Sequence, residues 1–444
     1  MRVRASDERD TYTVERLVGG KTGLLQRVEF TTRSRDAGET VVAKVAASTD
    51  PAELGVAGVS RDLSAVGKGA TKQEALRSVV GEYVERYCAF GGLPESIQSR
   101  GSYESMTERD VSVPAFDALV HYTDEQYREE GTEPLTRETR VRWATGTDLN
   151  SGDEITLPSW LADSRNDGPH GFASSNGCAA GQSLTAAAYR GLLEVIERDA
   201  LMRCWYAKTT PDRIRLDEFP TLRTLRDDCE PADGRVELLA LDSDSPFTVV
   251  AAVLVGASET RPKFLVAASA RLGFEEAVAD ALEELSQQVQ VFRRLSLVGD
   301  PAIADDDRLD LGENGLYYAD PANFETVEWL VSGEETTPKP GKPLSSDDSL
   351  SSSNSLSSGD SVAVSDSVPS DLGARLDAAL DAFERAAMAV VCYEVTEPHV
   401  AEIGLQVVKM VVPDLAPLSH PERPAANHDR LPDDATSRDP HPIP

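Results

Sequence analysis

One helix is written into this chain twice without a gap, and a third time in part. Residues 69 to 86 read GATKQEALRSVVGEYVER, and residues 181 to 198 read GQSLTAAAYRGLLEVIER. Gly69 aligns with Gly181, Ala75 with Ala187, Glu82 with Glu194, Glu85 with Glu197 and Arg86 with Arg198. In EEAVADALEELSQ, Ala277, Glu284 and Gln287 fall at the positions of Ala75, Glu82 and Glu85. The period is far too long for a stacked solenoid, so it describes a duplicated unit inside one domain. Three long helices are predicted, from about Thr71 to Phe90, Leu184 to Tyr206 and Phe274 to Leu295.

The spacing carries chemistry. Residues three apart on a helix share a face. Glu82 therefore points with Glu85, Glu194 with Glu197, and Glu284 with Gln287. Each pair lies in an apolar stretch, VVGEYVERY, LLEVIERDA or ALEELSQQ, so carboxylate surface lies near packed surface. A single such pair reads better as a solvated face with local Glu/Arg pairing. Repeated pairs facing each other repel unless something positive lies between them. Hard oxygen donors suit Mg²⁺, and Mg²⁺ commonly brings a nucleotide phosphate. GGKT at 19 to 22 is no P-loop, because Glu15 stands where its first glycine belongs.

The rest of the chain frames these helices. The first sixty residues read as turn-rich strands, and TLPSWLA as strand-like. FTVVAAVLVG and KFLVAASA are continuous apolar runs typical of central strands. Residues 333–370 are Ser-, Asp- and Pro-rich, with too little apolar content to pack, and are expected to be a disordered insertion. A helix, LGARLDAALDAFERAAM, and strands VVCYEV and GLQVVKMVV follow. The formal charge of -32 disfavours nucleic acid and anionic membranes as partners, and suits a salt-rich cytosol. No apolar run reaches the ~18 residues of a membrane span, and the N-terminus lacks a signal peptide, so a cytoplasmic protein is expected. The five cysteines form no CxxC pair and read as small apolar residues.

AVGKGATKQEALRSVVGEYVERYCAF and SSNGCAAGQSLTAAAYRGLLEVIERDA resemble the YcaO family of ATP-using backbone-amide activators. Ser78, Glu82, Glu85 and Arg86 meet its Ser-x3-Glu-x2-Glu-Arg pattern, and Glu194, Glu197 and Arg198 its ExxER element. ALEELSQQ and GLQVVKMVVPDLAPL add support. The resemblance implies an α/β (α+β) composite domain, with mixed sheets and repeated long helices lining an ATP site. It divides the chain into a strand-rich segment (1–63), an ATP-binding core (64–332), the insertion (333–370) and a closing part with a Pro-rich tail (371–444). It implies ATP and Mg²⁺ as cofactors, with Glu82, Glu85, Glu194 and Glu197 as metal ligands. Ser78, Glu82, Arg86, Asn176, Glu194, Arg198, Gln287 and Lys68 become candidate nucleotide contacts. Gln182 and Ala186 depart from the more polar pair expected there.

The chain ends Pro440, His441, Pro442, Ile443, Pro444. A Pro-x-Pro-x-Pro end is similar to that of azoline-forming family members, in which the tail reaches into the active site. Proline stiffens an extended segment, so such a tail is aimed at little entropic cost. His441 and Pro444 are accordingly candidate catalytic residues, helping to move protons. The implied activity is a peptide cyclodehydratase: Cys, Ser or Thr attacks the preceding carbonyl, ATP phosphorylates the oxyanion, and phosphate leaves a thiazoline or oxazoline. Alternatives are backbone thioamidation, support of ribosomal-protein methylthiolation, and a non-catalytic scaffold. A substrate peptide, a separate leader-peptide-binding protein and a homodimer are the expected partners.

Overall fold

The structure, a computed structural model, describes residues 17, 25–30, 41–47, 64–69, 71–109, 111–165, 168–243, 246–257, 261–298, 314–338, 371–420, 423–432 and 439–443. Three sheets and three long helices alternate. The first sheet is β1 (Leu25–Phe30), β2 (Val41–Ala47) and β3 (Ser64–Gly69), antiparallel in that order. The second is built from β4 (Gln98–Gly101), β5 (Val141–Asp148), β6 (Glu154–Pro158), β7 (Cys178–Gly181), β13 (Val391–Glu394) and β14 (Gln406–Val411). Its order is β4-β5-β13-β14-β7, with β6 also on β5. The third holds β8 (Asp212–Ile214), β9 (Gly234–Leu241), β10 (Thr248–Gly256), β11 (Phe264–Arg271) and β12 (Glu335–Thr336), in the order β11-β10-β9-β8-β12.

Each long helix leaves an edge strand of one sheet. Helix α1 (Lys72–Gly91) follows β3, α2 (Leu184–Tyr206) follows β7, and α3 (Phe274–Val298) follows β11. The repeat is therefore one strand–turn–helix unit used three times, with Gly69, Gly181 and Arg271 closing the equivalent strands. Thr71 and Ser183 cap α1 and α2 by accepting from the backbone of Glu74 and Ala186, which satisfies amides that the first turn leaves unpaired. Gly69 and Gly181 share a constraint. A Cβ on either would stand 2.6 Å from the backbone nitrogen of Ala75 or Ala187, so only glycine lets strand and helix approach this closely.

The packing is cyclic. Helix α1 lies between the first and second sheets, and α2 between the second and third. Helix α3 covers the outer face of the third sheet and reaches back to β3. Strand β10 shows why its sequence reads as an unbroken apolar run. Val249, Ala251, Val253 and Val255 belong to the core around α2, whereas Val250, Ala252 and Leu254 belong to the core around α3. A further helix, α4 (Leu372–Arg385), packs on α2.

Two readings shift at their edges. TLPSWLA is a strand only to Pro158; Ser159–Ala162 turn helical, the fixed φ of the proline opening the turn. Residues 333–338, expected to open the insertion, are described, and Glu335–Thr336 pair in parallel with β8. Residues 339–370, where disorder was expected, lie outside the described residues.

Candidate functional site

The three units bring their glutamates together. Glu85 on α1 is half-buried, and its carboxyl is held well above the usual range by burial and then by the charges of Glu82 and, from α2, Glu194. Arg86 and a hydrogen bond from the Ala180 backbone oppose this. Burial, with Glu197 and Glu82, pushes Glu194 up to about 7 against the pull of Arg198 and Lys409. Glu197 is raised by burial and by Glu284 of α3, against Arg198. Carboxylates from all three helices thus act on one another.

Cations hold the rim. Arg86 pairs with Glu82 at 2.7 Å along α1, and Arg198 with Glu197 at 2.6 Å. Lys68 crosses from β3 to Glu284 at 2.6 Å. Burial alone would raise Glu284, but the Lys68 ammonium, together with Arg198 and Arg271, holds the carboxyl below its usual value. Ser78 Oγ accepts from the Lys68 backbone at 3.2 Å, and Gln287 Nε2 donates to the Val66 carbonyl at 3.0 Å. Both therefore tie strand to helix at the edge of the cluster.

The structure adds residues that motif spacing missed. Lys409 of β14 is buried and donates to the carbonyls of Ser174 (2.7 Å) and Asn176. It pins the 174–177 loop and places a positive charge near Glu194. Gly177 needs its φ of +79°, and a Cβ there would strike the Met410 carbonyl. Asn176 Oδ1, held on this loop, is buried without a hydrogen-bond partner. Arg271, closing β11, pairs with Asp280 and lends charge to Glu197 and Glu284. Its signal in the sequence is that it stands where the other two units carry Gly69 and Gly181.

Segment 439–443 packs into the core beside this site. Tyr318 donates its hydroxyl to the Pro440 carbonyl, and Asn314 Nδ2 donates to that of Ile443 at 3.2 Å. His441 is fully buried. Its Nε2 meets the Ser419 carbonyl at 3.0 Å and so carries the proton, leaving Nδ1 to accept from Asn314 at 3.4 Å. Burial and the nearby Arg198 charge lower its pKa to about 4. With both ring nitrogens engaged, His441 is an anchor; the proton-moving part expected of it is a proposal this geometry does not favour. Pro444 lies outside the described residues. Next to Arg198, buried Asp199 takes two bonds from Arg430, at 2.7 and 2.8 Å, and one from the Ala416 backbone at 2.8 Å. Helix α2 thus carries site residues and, one position on, the clamp for the 416–430 segment.

The model of the YcaO family, described as a cyclodehydratase that binds ATP and Mg²⁺, matches residues 66–416. The chain belongs to the YcaO family. A protein from the tfuA 3′ region of Rhizobium leguminosarum bv. trifolii, itself uncharacterized, is 30% identical over 137 residues, 30% of each chain. This YcaO chain thus spans about a third of that curated relative. The fold is similar to that of YcaO from Methanopyrus kandleri, solved with AMPPCP and Mg²⁺, at 21% identity and TM-score 0.64, over 94% of this chain and 92% of that one. It is also similar to a chain of the E. coli microcin synthetase complex, at 13% identity and TM-score 0.62, over 94% and 96%.

The family whose model the chain matches is described as binding ATP and Mg²⁺. The donor set fits them. Glu85, Glu194 and Glu197 are hard oxygen donors, raised by burial and then by the charge of neighbouring carboxylates, an environment a dication would offset. Among the described residues no three His, Cys, Asp or Glu side chains form a ready cage for an ion. Arg86, Arg198 and Lys68 occupy carboxylate oxygens instead. Among the described residues no helix is long and apolar enough to cross a membrane.

Proposed function

We propose that this YcaO chain activates a backbone amide of a peptide by O-phosphorylation, for replacement of the amide oxygen by sulfur. The observation that carries the activation step is the convergence of carboxylates from α1, α2 and α3. Glu82, Glu85, Glu194 and Glu197 would hold Mg²⁺. Arg86, Arg198, Lys68, Ser78, Asn176 and Gln287 would orient the nucleotide and offset its charge. Bound ATP supplies the phosphoryl group that turns an amide oxygen into a leaving group. The residues contribute positioning and charge neutralisation. Hydrosulfide adds to the amide carbon, the carbonyl electron pair moves to oxygen, and that oxygen takes the γ-phosphoryl group as ADP departs. Loss of hydrogen phosphate then leaves C=S, so one oxygen exits in phosphate for each sulfur that enters.

The choice of sulfur is supported by the relative from the tfuA 3′ region, which points to the thioamide-forming branch. Ring closure by a Cys, Ser or Thr side chain is the second reading, favoured by the docking of segment 439–443 beside Arg198. The two share the phosphorylation step and differ only in nucleophile. A separate protein that grips the peptide leader belongs to either reading, supported by the likeness to a chain of a multi-protein microcin synthetase; so does pairing of two copies of this chain. Mass spectrometry of peptides incubated with protein, Mg²⁺, ATP and sulfide separates the readings. Exchange of oxygen for sulfur supports the first, and loss of one water per modified residue the second. Failure of Glu194→Gln to abolish peptide-dependent phosphate release would refute both.

A further inference from the structure

A small cavity lies at the end of β14, between α2 and the 413–418 loop. It measures about 40 Å³, room for about three water-sized groups. Trp160, Phe172, Val411 and Leu415 make much of its wall apolar. Two polar atoms of lining residues are cut off from solvent without a hydrogen-bond partner: Asn176 Oδ1, an acceptor, and Trp160 Nε1, a donor. Leaving such an atom unpaired costs stability, so folded proteins keep few of them. Lys409 also lines the cavity, and its ammonium gives protons to two carbonyls, leaving its third available.

These features specify a ligand. It is small, it offers one donor and one acceptor with two lone pairs, and it tolerates apolar surroundings. A triphosphate is too large and too charged for such walls. A secondary amide with a short side chain meets every requirement. The cavity also borders the carboxylate cluster, because Lys409, which lines it, acts on Glu194.

We propose that this cavity is the acceptor subsite, taking the backbone amide to be modified together with a small side chain. Asn176 Oδ1 matches the amide N–H. Trp160 Nε1 and the third Lys409 proton match the carbonyl oxygen, where charge develops when a nucleophile adds. This assignment rests on the amide-activating function proposed above.

The test is hydrogen exchange of the full chain with synthetic Gly-Gly-Xaa-Gly-Gly peptides at millimolar concentration, Xaa being Ala, Ser, Cys or Trp, with and without Mg²⁺ and a non-hydrolysable ATP analogue. The small-residue peptides are expected to slow exchange at 172–177 and 409–412, and the Trp peptide to leave it unchanged. Phe172→Ala, which enlarges the cavity at a partly exposed wall, should raise the ratio of Trp-peptide to Ala-peptide binding at least about tenfold. That ratio is internal to one protein and survives a partial loss of stability. Absence of protection at 172–177 with every peptide, or an unchanged ratio in Phe172→Ala, overturns the subsite. Failure of the wild-type chain to bind the Mg²⁺-nucleotide analogue in calorimetry would instead overturn the functional reading, since peptide protection is read without nucleotide as well.

Discussion

Lys68 on β3 and Glu284 on α3 are 216 residues apart in sequence and 2.6 Å apart in space. Their pair helps tie the third unit to the first. Both side chains are partly exposed, which limits the pair to about 1 kcal/mol. A double-mutant cycle of Lys68→Met and Glu284→Gln, read by urea unfolding, should return a coupling of about that size. A coupling of zero would mean that other contacts close the ring.

The facing glutamates oppose folding when no cation is bound. Burial and neighbouring carboxylates raise Glu85 and push Glu194 up to about 7. A raised carboxyl pKa destabilises the fold above that pKa, and the penalty fades as pH falls towards the ordinary carboxylate range. At pH 8 without metal, Glu85→Gln or Glu194→Gln should therefore raise Tm, while peptide-dependent ATP turnover falls at least about 100-fold. A drop in Tm for both variants would show that the carboxylates are not in mutual repulsion.

Gly69→Ala and Gly181→Ala each place a methyl group 2.6 Å from a helix backbone nitrogen. Backbone cannot swing aside as a side chain does, so each should cost about 2 kcal/mol or more in denaturant unfolding. Gly131→Ala, with nothing within 4 Å but a φ of +66°, is the comparison that isolates conformational strain.

Much of this was legible before the structure. The helices and their carboxylates announced themselves because one spacing recurs, and β10 because both its faces are buried. Lys409 was hidden because it reaches the site through sheet pairing, opposite Cys178 in the register of β14 with β7. No local pattern encodes that partner. Arg271 was hidden because a charged residue replaced the glycine that marks the other two units. The burial of segment 439–443 depends on Asn314 and Tyr318, far away in sequence, whereas its own residues specify only stiffness.

Acid should loosen that segment. His441 is buried neutral with a pKa near 4, below the ordinary value of 6.5. Its contribution is complete above pH 6.5 and is lost as pH falls towards 4, reaching about 3 kcal/mol. Thermal unfolding between pH 7 and 4 should show a steeper loss for the wild type than for His441→Gln. Equal slopes would place the acid sensitivity elsewhere, His121 being the next buried imidazole, lowered to about 3.

Buried Asp199 and half-buried Arg430 form a doubly bonded pair. Removing Asp199 breaks this pair and takes the acceptor from the Ala416 amide, a loss of about 3 kcal/mol. Asp199→Ala should open the 416–430 segment to proteolysis before the three sheets unfold. Protection equal to wild type would show that apolar packing alone retains it.

The identical start of α1, α2 and α3 after their strands also bounds how such a chain can vary in length. One residue added between Gly69 and Glu82, or at the matching place in either sister unit, turns every later side chain by about 100° and swings a carboxylate out of the centre. Insertions and deletions are tolerable only between units, so natural length differences should collect in the connecting stretches and leave the three strand-to-glutamate intervals untouched.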